Sequence, residues 1–206
     1  MKKLTILSLF AFFAISASAQ FVKIEVEKVP NSGTVPGKTY RVYAVMTNQG
    51  DIIDAVFADP KSPLTLKSST PFYQHPKGGL LSSNVQRFDL ANDPKLKYDS
   101  WFTIGLEDNY NNTLTPFFQN DSLEMKKFEA GKSIALRDCA VFVLPDARQA
   151  RADEKKRILL MQLTSASKIE GVINIHGREA AKKDAQGKPL DGVEIIEVRG
   201  IAFTCE

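Results

Sequence analysis

Alternation of apolar and polar residues along several short segments is the feature that most constrains the fold of this chain. Residues 22–27 alternate Val, Ile and Val with Lys and Glu, and residues 40–46 repeat the pattern before a polar turn. A period of two predicts strands that bury one face. Similar segments lie at residues 52–57, 101–105, 133–144, 157–164, 169–176 and 193–204. We therefore predict an all-β fold, a single antiparallel β-sandwich of jelly-roll-like form with long loops rich in proline and glycine and with little helix.

Some segments depart from simple alternation. Residues 133–144 and 157–164 are apolar on both faces, which predicts central strands covered on two sides. Ile195 and Ile196 are adjacent, so we predict a β-bulge between them. Prolines punctuate residues 59–99, which predicts long connections and short edge strands there. Short helical turns are predicted within residues 147–156 and 179–184.

The first nineteen residues have the pattern of a secretory signal peptide. Two lysines precede an apolar run at residues 4–15, and Ala17 and Ala19 supply the small side chains that signal peptidase requires. We predict an exported protein whose mature domain is residues 20–206, located in the periplasm, at the outer membrane or outside the cell. No second apolar run of about 18 residues follows, so no transmembrane segment is predicted in the mature chain.

The charge balance of the mature chain argues against nucleic acid as a partner. The sequence has 27 basic and 24 acidic side chains, and loss of Lys2 and Lys3 with the leader reduces the net charge from +3 to +1. A nucleic-acid surface requires a clustered basic excess. The densest basic stretch, residues 148–157, contains Asp153 and Glu154, so we interpret it as a solvated loop or short helix.

Cys139 and Cys205 are the two cysteines of the chain. Export places both in an oxidising compartment, where a disulfide forms readily. A bridge between them would close a long loop and would be worth roughly 4 kcal/mol in the chain-entropy model. We expect this disulfide, and two separate buried thiols are the alternative.

Residues suited to catalysis are sparse. The chain has two histidines, His75 and His176, and neither stands in a zinc-binding spacing. Ser100 lacks the flanking glycines of a nucleophile elbow. We predict no cofactor, no metal and no enzymatic activity. Paired carboxylates of a glycoside hydrolase remain an alternative, with Glu107, Asp108, Asp121 and Glu124 as candidates. Residues 107–112 offer oxygen ligands for Ca²⁺, although a solvated turn fits their spacing better.

Aromatic residues give the chain its candidate ligand-binding positions. Tyr73 and His75 lie in the proline-rich region, and Trp101, the single tryptophan, opens a predicted strand. Exposed aromatic rings on a secreted sandwich can stack on sugar rings, so Tyr73, His75 and Trp101 are candidates for carbohydrate binding. The alternative is that Tyr73 packs its loop onto the core and that Trp101 belongs to the core.

Several blocks of this sequence resemble secreted β-rich domains of Flavobacteria and other Bacteroidota, and the resemblance spans nearly the whole mature chain. The blocks are residues 39–44 with 47, 48 and 51, residues 72–76 with 78 and 79, residues 98–105, residues 142–145, residues 158–164 and residues 169–174. The resemblance implies a secreted domain of the cell envelope and carries no established activity. It also implies an O-glycosylation motif at residues 121–123, with Ser122 as the acceptor.

These observations favour a secreted or periplasmic, non-enzymatic β-sandwich that acts as an interaction or structural domain at the cell envelope. The expected partner is a protein or glycan of the envelope. A carbohydrate-binding module is the first alternative, and a carboxylate-dependent glycoside hydrolase is the second.

Overall fold

The structure, a computed structural model, describes residues 21–181, 186 and 192–206, and the predicted signal peptide lies outside the described residues. The strands are β1 (Phe21–Val29), β2 (Lys38–Met46), β3 (Ile52–Ala58), β4 (Leu64–Ser68), β5 (Trp101–Phe102), β6 (Thr115–Phe117), β7 (Ile134–Leu136), β8 (Cys139–Phe142), β9 (Arg157–Ser165), β10 (Ile169–Arg178) and β11 (Ile195–Cys205). The α-helices are α1 (Arg87–Asn92) and α2 (Ser122–Glu129), and 3-10 helices lie at Ser82–Asn84, Pro94–Tyr98 and Arg148–Ala150. Neither α-helix of the described residues has the length and apolar character needed to span a bilayer.

Two antiparallel sheets form the all-β sandwich that the alternation predicts. The first sheet has the strand order β1-β2-β9-β5. The second has the order β6-β8-β3-β10-β4-β7, with β11 also paired to β10. Strand β10 is ten residues long, so β4 pairs with its first half while β3 pairs with its second half. The predicted fold class is therefore confirmed.

Strand β9 is covered on both faces, as its two apolar faces predict. Ile158 and Leu160 lie in the main core between the sheets. Leu159 belongs to a second apolar cluster on the outer face of the first sheet. Residues 82–98 cover that face and contribute Val85 and Leu96 to the cluster. A long connection thus acts as a third layer over part of the sandwich.

The other strand predicted to be covered on both faces is interrupted. Residues 133–144 form two strands, β7 and β8, with a break at Arg137 and Asp138. The backbone N–H groups of both residues donate to Asp121 Oδ2 at 2.5 Å. Because the carboxylate of the residue before α2 takes these donors, they are not available to a strand ladder. Sequence periodicity does not reveal such a remote acceptor.

The proline-rich region contains an interior strand as well as loops. Strand β4 pairs with β10 on one side and β7 on the other, so the prediction of edge strands alone was wrong.

The bulge in β11 also lies elsewhere than predicted. The register shifts between Val198 and Ile201, where Gly200 adopts φ +65°. Ile195 is exposed and Ile196 buried, so these two residues alternate normally.

The predicted disulfide is not present, because Cys139 and Cys205 are free, buried thiols. Cys139 lies on β8 and Cys205 on β11, and strands β3 and β10 lie between them in the sheet. Three strand spacings amount to roughly 14 Å, whereas disulfide-bonded Cα atoms lie within about 7 Å. Burial raises the pKa of both thiols to about 12, so neither is a ready nucleophile.

The helical predictions had mixed outcomes. Within residues 147–156 a 3-10 helix forms at Arg148–Ala150. Residues 179–181 are not helical, and the other half of the predicted turn at 179–184 lies outside the described residues. Helices α1 and α2 were not predicted from the sequence.

Candidate functional site

A cleft of about 500 Å³ opens beside Tyr73, and we refer to it as the Tyr73 cleft. Segments from four parts of the chain form its walls. The residues that matter for its chemistry are Pro36, Thr70, Tyr73, Gln74, Glu129 and Ala166. The cleft therefore lies where the turn before β2, the segment after β4, the end of α2 and the turn after β9 meet.

Backbone contacts fix the segment that carries Tyr73. The N–H of Phe72 donates to the carbonyl of Gly131 at 2.8 Å, and the N–H of Tyr73 donates to the carbonyl of Thr164 at 2.8 Å. Phe72 is 2% exposed and packs against Phe128, with ring centroids 5.4 Å apart. Gly131 has φ +74°, and a Cβ there would lie 2.6 Å from the Phe72 carbonyl oxygen. The segment after α2 and strand β9 therefore both hold the backbone of Phe72 and Tyr73 in place.

Four hydroxyl groups support the wall formed by Thr70. Ser68 Oγ lies 2.8 Å from both Ser165 Oγ and Ser167 Oγ. Thr70 Oγ1 lies 2.8 Å from Ser165 Oγ and 3.0 Å from Ser167 Oγ. Each hydroxyl both donates and accepts, so this network joins the β4 segment to the turn after β9.

Aromatic and polar side chains together line the Tyr73 cleft. Tyr73 is partly buried and Glu129 is exposed, so one aromatic ring and one carboxylate line the same cleft. Gln74 Nε2 is buried and has no hydrogen-bond partner among the described residues. An unpaired buried donor is unfavourable by about 1–3 kcal/mol. A ligand acceptor that reached Gln74 would satisfy this donor.

His75 lies close to Tyr73 but outside the cleft. The two ring centroids are 6.4 Å apart. The Nδ1 atom of His75 accepts the N–H of Lys77 at 3.2 Å, which places the proton of the neutral ring on Nε2. That nitrogen lies 3.3 Å from Asp93 Oδ2. Both ring nitrogens of His75 contact protein atoms and its side chain is 8% exposed, so His75 stabilises the loop.

Asp99 is the residue that shapes the loop beneath Tyr73 and His75. Its fully buried carboxylate accepts the backbone N–H of His75 at 2.6 Å and that of Gly79 at 3.1 Å. A Cβ at Gly78 would lie 1.9 Å from Asp99 Oδ2, so the close approach requires glycine. Burial raises the pKa of Asp99 to about 6, against the opposing effect of the hydrogen bonds from His75, Gly79 and Ser100.

Sequence reasoning did not single out Asp99. The available signal was a turn with two adjacent glycines at residues 78 and 79, whose backbone donors require an acceptor. The contact also joins two of the blocks on which the family resemblance rests, residues 72–79 and residues 98–105. These blocks are therefore parts of one structural unit.

Trp101 does not belong to this site. It is 2% exposed and packs in the second apolar cluster with Tyr43, Leu96 and Leu159. Its indole face is covered by protein, so it offers no platform for a sugar ring. The structure brings Tyr73 and His75 together and places Trp101 in the interior.

The four carboxylates considered for hydrolysis each have a structural partner. Glu107 pairs with Arg41 at 2.5 Å, and Asp108 pairs with Arg87 at 2.9 Å. Asp121 accepts the two backbone N–H groups described above, and Glu124 pairs with Lys127. The proposed calcium segment, residues 107–112, forms turns in which the Asp108 carboxylate also accepts the N–H of Tyr110.

Ser122 is the first residue of α2 and its side chain is exposed. Leu123 is 72% exposed, whereas Asp121 is 7% exposed. The hydroxyl of the predicted glycosylation motif is thus accessible in the folded protein, while its carboxylate is buried. Modification of Ser122 stays a prediction.

No family model, curated protein or solved structure matches this chain.

Proposed function

We propose that this protein is an exported, non-enzymatic β-sandwich that acts as an interaction domain at the cell envelope and holds its partner in the Tyr73 cleft. The observation that carries the proposal is the cleft itself, in which an aromatic side chain on a backbone held by hydrogen bonds lines a concave surface together with Gln74 and Glu129. Concave sites with a few convergent polar groups are the usual form of binding sites. Export and the envelope location rest on the predicted signal peptide and on the resemblance to secreted Bacteroidota domains.

A carbohydrate-binding module is the second candidate function. Tyr73 favours it, because an aromatic ring can stack on a sugar. Because Trp101 is buried, Tyr73 is the candidate ring that remains available for stacking on a sugar. A glycoside hydrolase has less support, because Glu107, Asp108, Asp121 and Glu124 are held in ion pairs or backbone contacts.

The test compares the mature protein, residues 20–206, with the variant Tyr73→Ala. Both are immobilised and exposed to solubilised cell envelope, and both are applied in parallel to a glycan array. We expect the wild type to retain a partner that Tyr73→Ala does not retain, because the variant removes the aromatic wall of the cleft. A signal on the array identifies the partner as a glycan, and a signal from the envelope alone identifies it as a protein.

Tyr110→Ala is the matched control, because Tyr110 is 57% exposed and lies outside the cleft. This variant is expected to bind as the wild type does. If Tyr73→Ala and Tyr110→Ala both retain the same partner as the wild type, the Tyr73 cleft is not the binding site. Turnover of an envelope glycan by the wild type would contradict the non-enzymatic assignment.

A further inference from the structure

A second cleft lies at the opposite end of strand β9 from the Tyr73 cleft. It has a volume of about 500 Å³, and we refer to it as the arginine cleft, defined by Tyr43, Glu107, Arg148, Arg151, Asp153 and Arg157. Arg157 begins β9, whereas Ala166 in the Tyr73 cleft follows its end. Nine residues of extended strand span roughly 30 Å. The two clefts are therefore separate sites.

Buried neighbours fix the backbone from which Arg148 and Arg151 project. Ala150 and Ala152 are 0% and 4% exposed, and the N–H of Ala152 donates to the carbonyl of Asp51 at 2.7 Å. Between the two arginines, Gln149 Nε2 donates to the carbonyl of Ile104 at 2.8 Å. Arg148 and Arg151 therefore line the cleft from a backbone that buried neighbours hold in place.

Glycine at position 105 allows this arrangement. Gly105 has φ +77°, and a Cβ there would lie 1.9 Å from the Gln149 carbonyl oxygen. The backbone of the 3-10 helix at Arg148–Ala150 therefore lies directly against Gly105.

Arg157 forms the inner wall of the cleft. One of its terminal nitrogens donates to Glu25 at 2.5 Å and to Glu27 at 2.9 Å, and its guanidinium lies 4.2 Å from the Tyr43 ring centroid. Its Nε atom is buried and has no acceptor among the described residues. The inner wall thus has a fixed cation with one unsatisfied donor.

Arg148 and Arg151 differ from Arg157 in having no ion pair within the described parts of the chain, and both are exposed. Two carboxylates line the same cleft. Asp153 accepts the backbone N–H of Arg157 at 2.8 Å, and Glu107 pairs with Arg41 at its edge. The cleft therefore combines two free guanidinium groups with carboxylate oxygens that retain acceptor capacity.

This combination selects one class of ligand. Guanidinium groups bind carboxylates through paired, charge-assisted hydrogen bonds. The carboxylates of Glu107 and Asp153 repel additional negative charge but accept hydrogen bonds from hydroxyl groups. We propose that the arginine cleft binds an acidic sugar, with the sugar carboxylate on Arg148 and Arg151 and the sugar hydroxyls on Asp153 and Glu107. This site is independent of the function proposed for the Tyr73 cleft.

The experiment is an NMR titration of ¹⁵N-labelled mature protein with D-glucuronate, with D-glucose and with inorganic phosphate. We expect glucuronate to shift the amide signals of residues 147–153 and to bind more tightly than the other two probes. In the double variant Arg148→Gln with Arg151→Gln, glucuronate should bind at least about tenfold more weakly, as expected for loss of a charge-assisted pair. Lys126→Gln with Lys132→Gln loses the same charge on the α2 side and should bind as the wild type does.

Three outcomes would overturn the proposal. Unchanged affinity of the glutamine pair for glucuronate would show that Arg148 and Arg151 are not the site. Equal affinity for glucose would exclude carboxylate recognition, and equal affinity for phosphate would exclude recognition of the hydroxyls. The pair Arg148→Lys with Arg151→Lys keeps the charge but removes the planar fork, so its affinity should fall between those of the wild type and the glutamine pair. Tyr73→Ala should bind glucuronate normally, which separates failure here from failure of the proposed function.

Discussion

Replacing Asp99 by asparagine should change how the stability of this protein depends on pH. In the wild type, the carboxylate is fully buried and accepts the backbone N–H groups of His75 and Gly79. Asparagine has nearly the same shape and does not titrate in this range. Its amide nitrogen donates where one carboxylate oxygen accepted, so one backbone hydrogen bond is lost and the variant is less stable by about 1–3 kcal/mol.

The pH dependence follows from the raised pKa of Asp99. The pKa rises from 3.8 to about 6 on folding, so the folded protein binds this proton more tightly than the unfolded chain. Stability from this group is fully present below about pH 4 and is lost as the pH rises through about 6. A shift of about two pKa units corresponds to about 3 kcal/mol. The free energy of unfolding of the wild type, relative to Asp99→Asn, should therefore increase by about 3 kcal/mol between pH 7.5 and pH 4.

Urea denaturation of both proteins at several pH values between 4 and 7.5 measures this difference. The other titratable groups are the same in both proteins, so their contributions to the pH dependence cancel when the two free energies of unfolding are subtracted. Asp59→Asn is the control of opposite sign, because the hydrogen bond from Arg199 lowers the pKa of Asp59 and its contribution to stability is lost as the pH falls. Parallel pH profiles for the wild type and Asp99→Asn would refute the reasoning. A relative loss of wild-type stability at low pH would show that the backbone donors outweigh burial.

Three further predictions concern the core, the arginine cleft and the thiols. Trp101→Ala should lower the free energy of unfolding by about 3–5 kcal/mol, measured in urea, because the indole fills the second apolar cluster; a loss below about 1 kcal/mol would contradict its buried position. Gly105→Ala should lower the free energy of unfolding by about 1–3 kcal/mol and weaken glucuronate binding, because the Cβ meets the Gln149 carbonyl; wild-type values in both assays would contradict this contact. Cys139 and Cys205 should resist a thiol reagent in the native protein and react, two per chain, in denaturant; two unreactive cysteines in denaturant would indicate a disulfide.

The strand pattern was predictable because alternation is a local property. The apolar residues of β2 and β10 follow a period of two, and burial of one face requires only that the strand joins a sheet. Breaks within the predicted strands were not predictable, because the residues that cause them lie elsewhere in the sequence. The break between β7 and β8 depends on the carboxylate of Asp121.

The candidate site was predictable in part. Tyr73 was a candidate ligand contact because it is aromatic and lies in a proline-rich loop, with packing onto the core as the alternative, and the structure places it partly buried beside a cleft. The role of Asp99 could not be assigned from the sequence, because its partners His75 and Gly79 lie 20 or more residues away. The position of Trp101 in the second apolar cluster depends on how residues 82–98 fold over the first sheet.

The sequence by itself determined an antiparallel all-β fold, because the spacing of apolar residues selects which side chains can be buried together. Only the tertiary structure decided which residues face one another across the two sheets. The strand order separates Cys139 from Cys205 by three strand spacings and so excludes the disulfide that their number suggested. The same packing places Tyr73 in one cleft and the exposed arginines Arg148 and Arg151 in another, because the two clefts lie at opposite ends of strand β9.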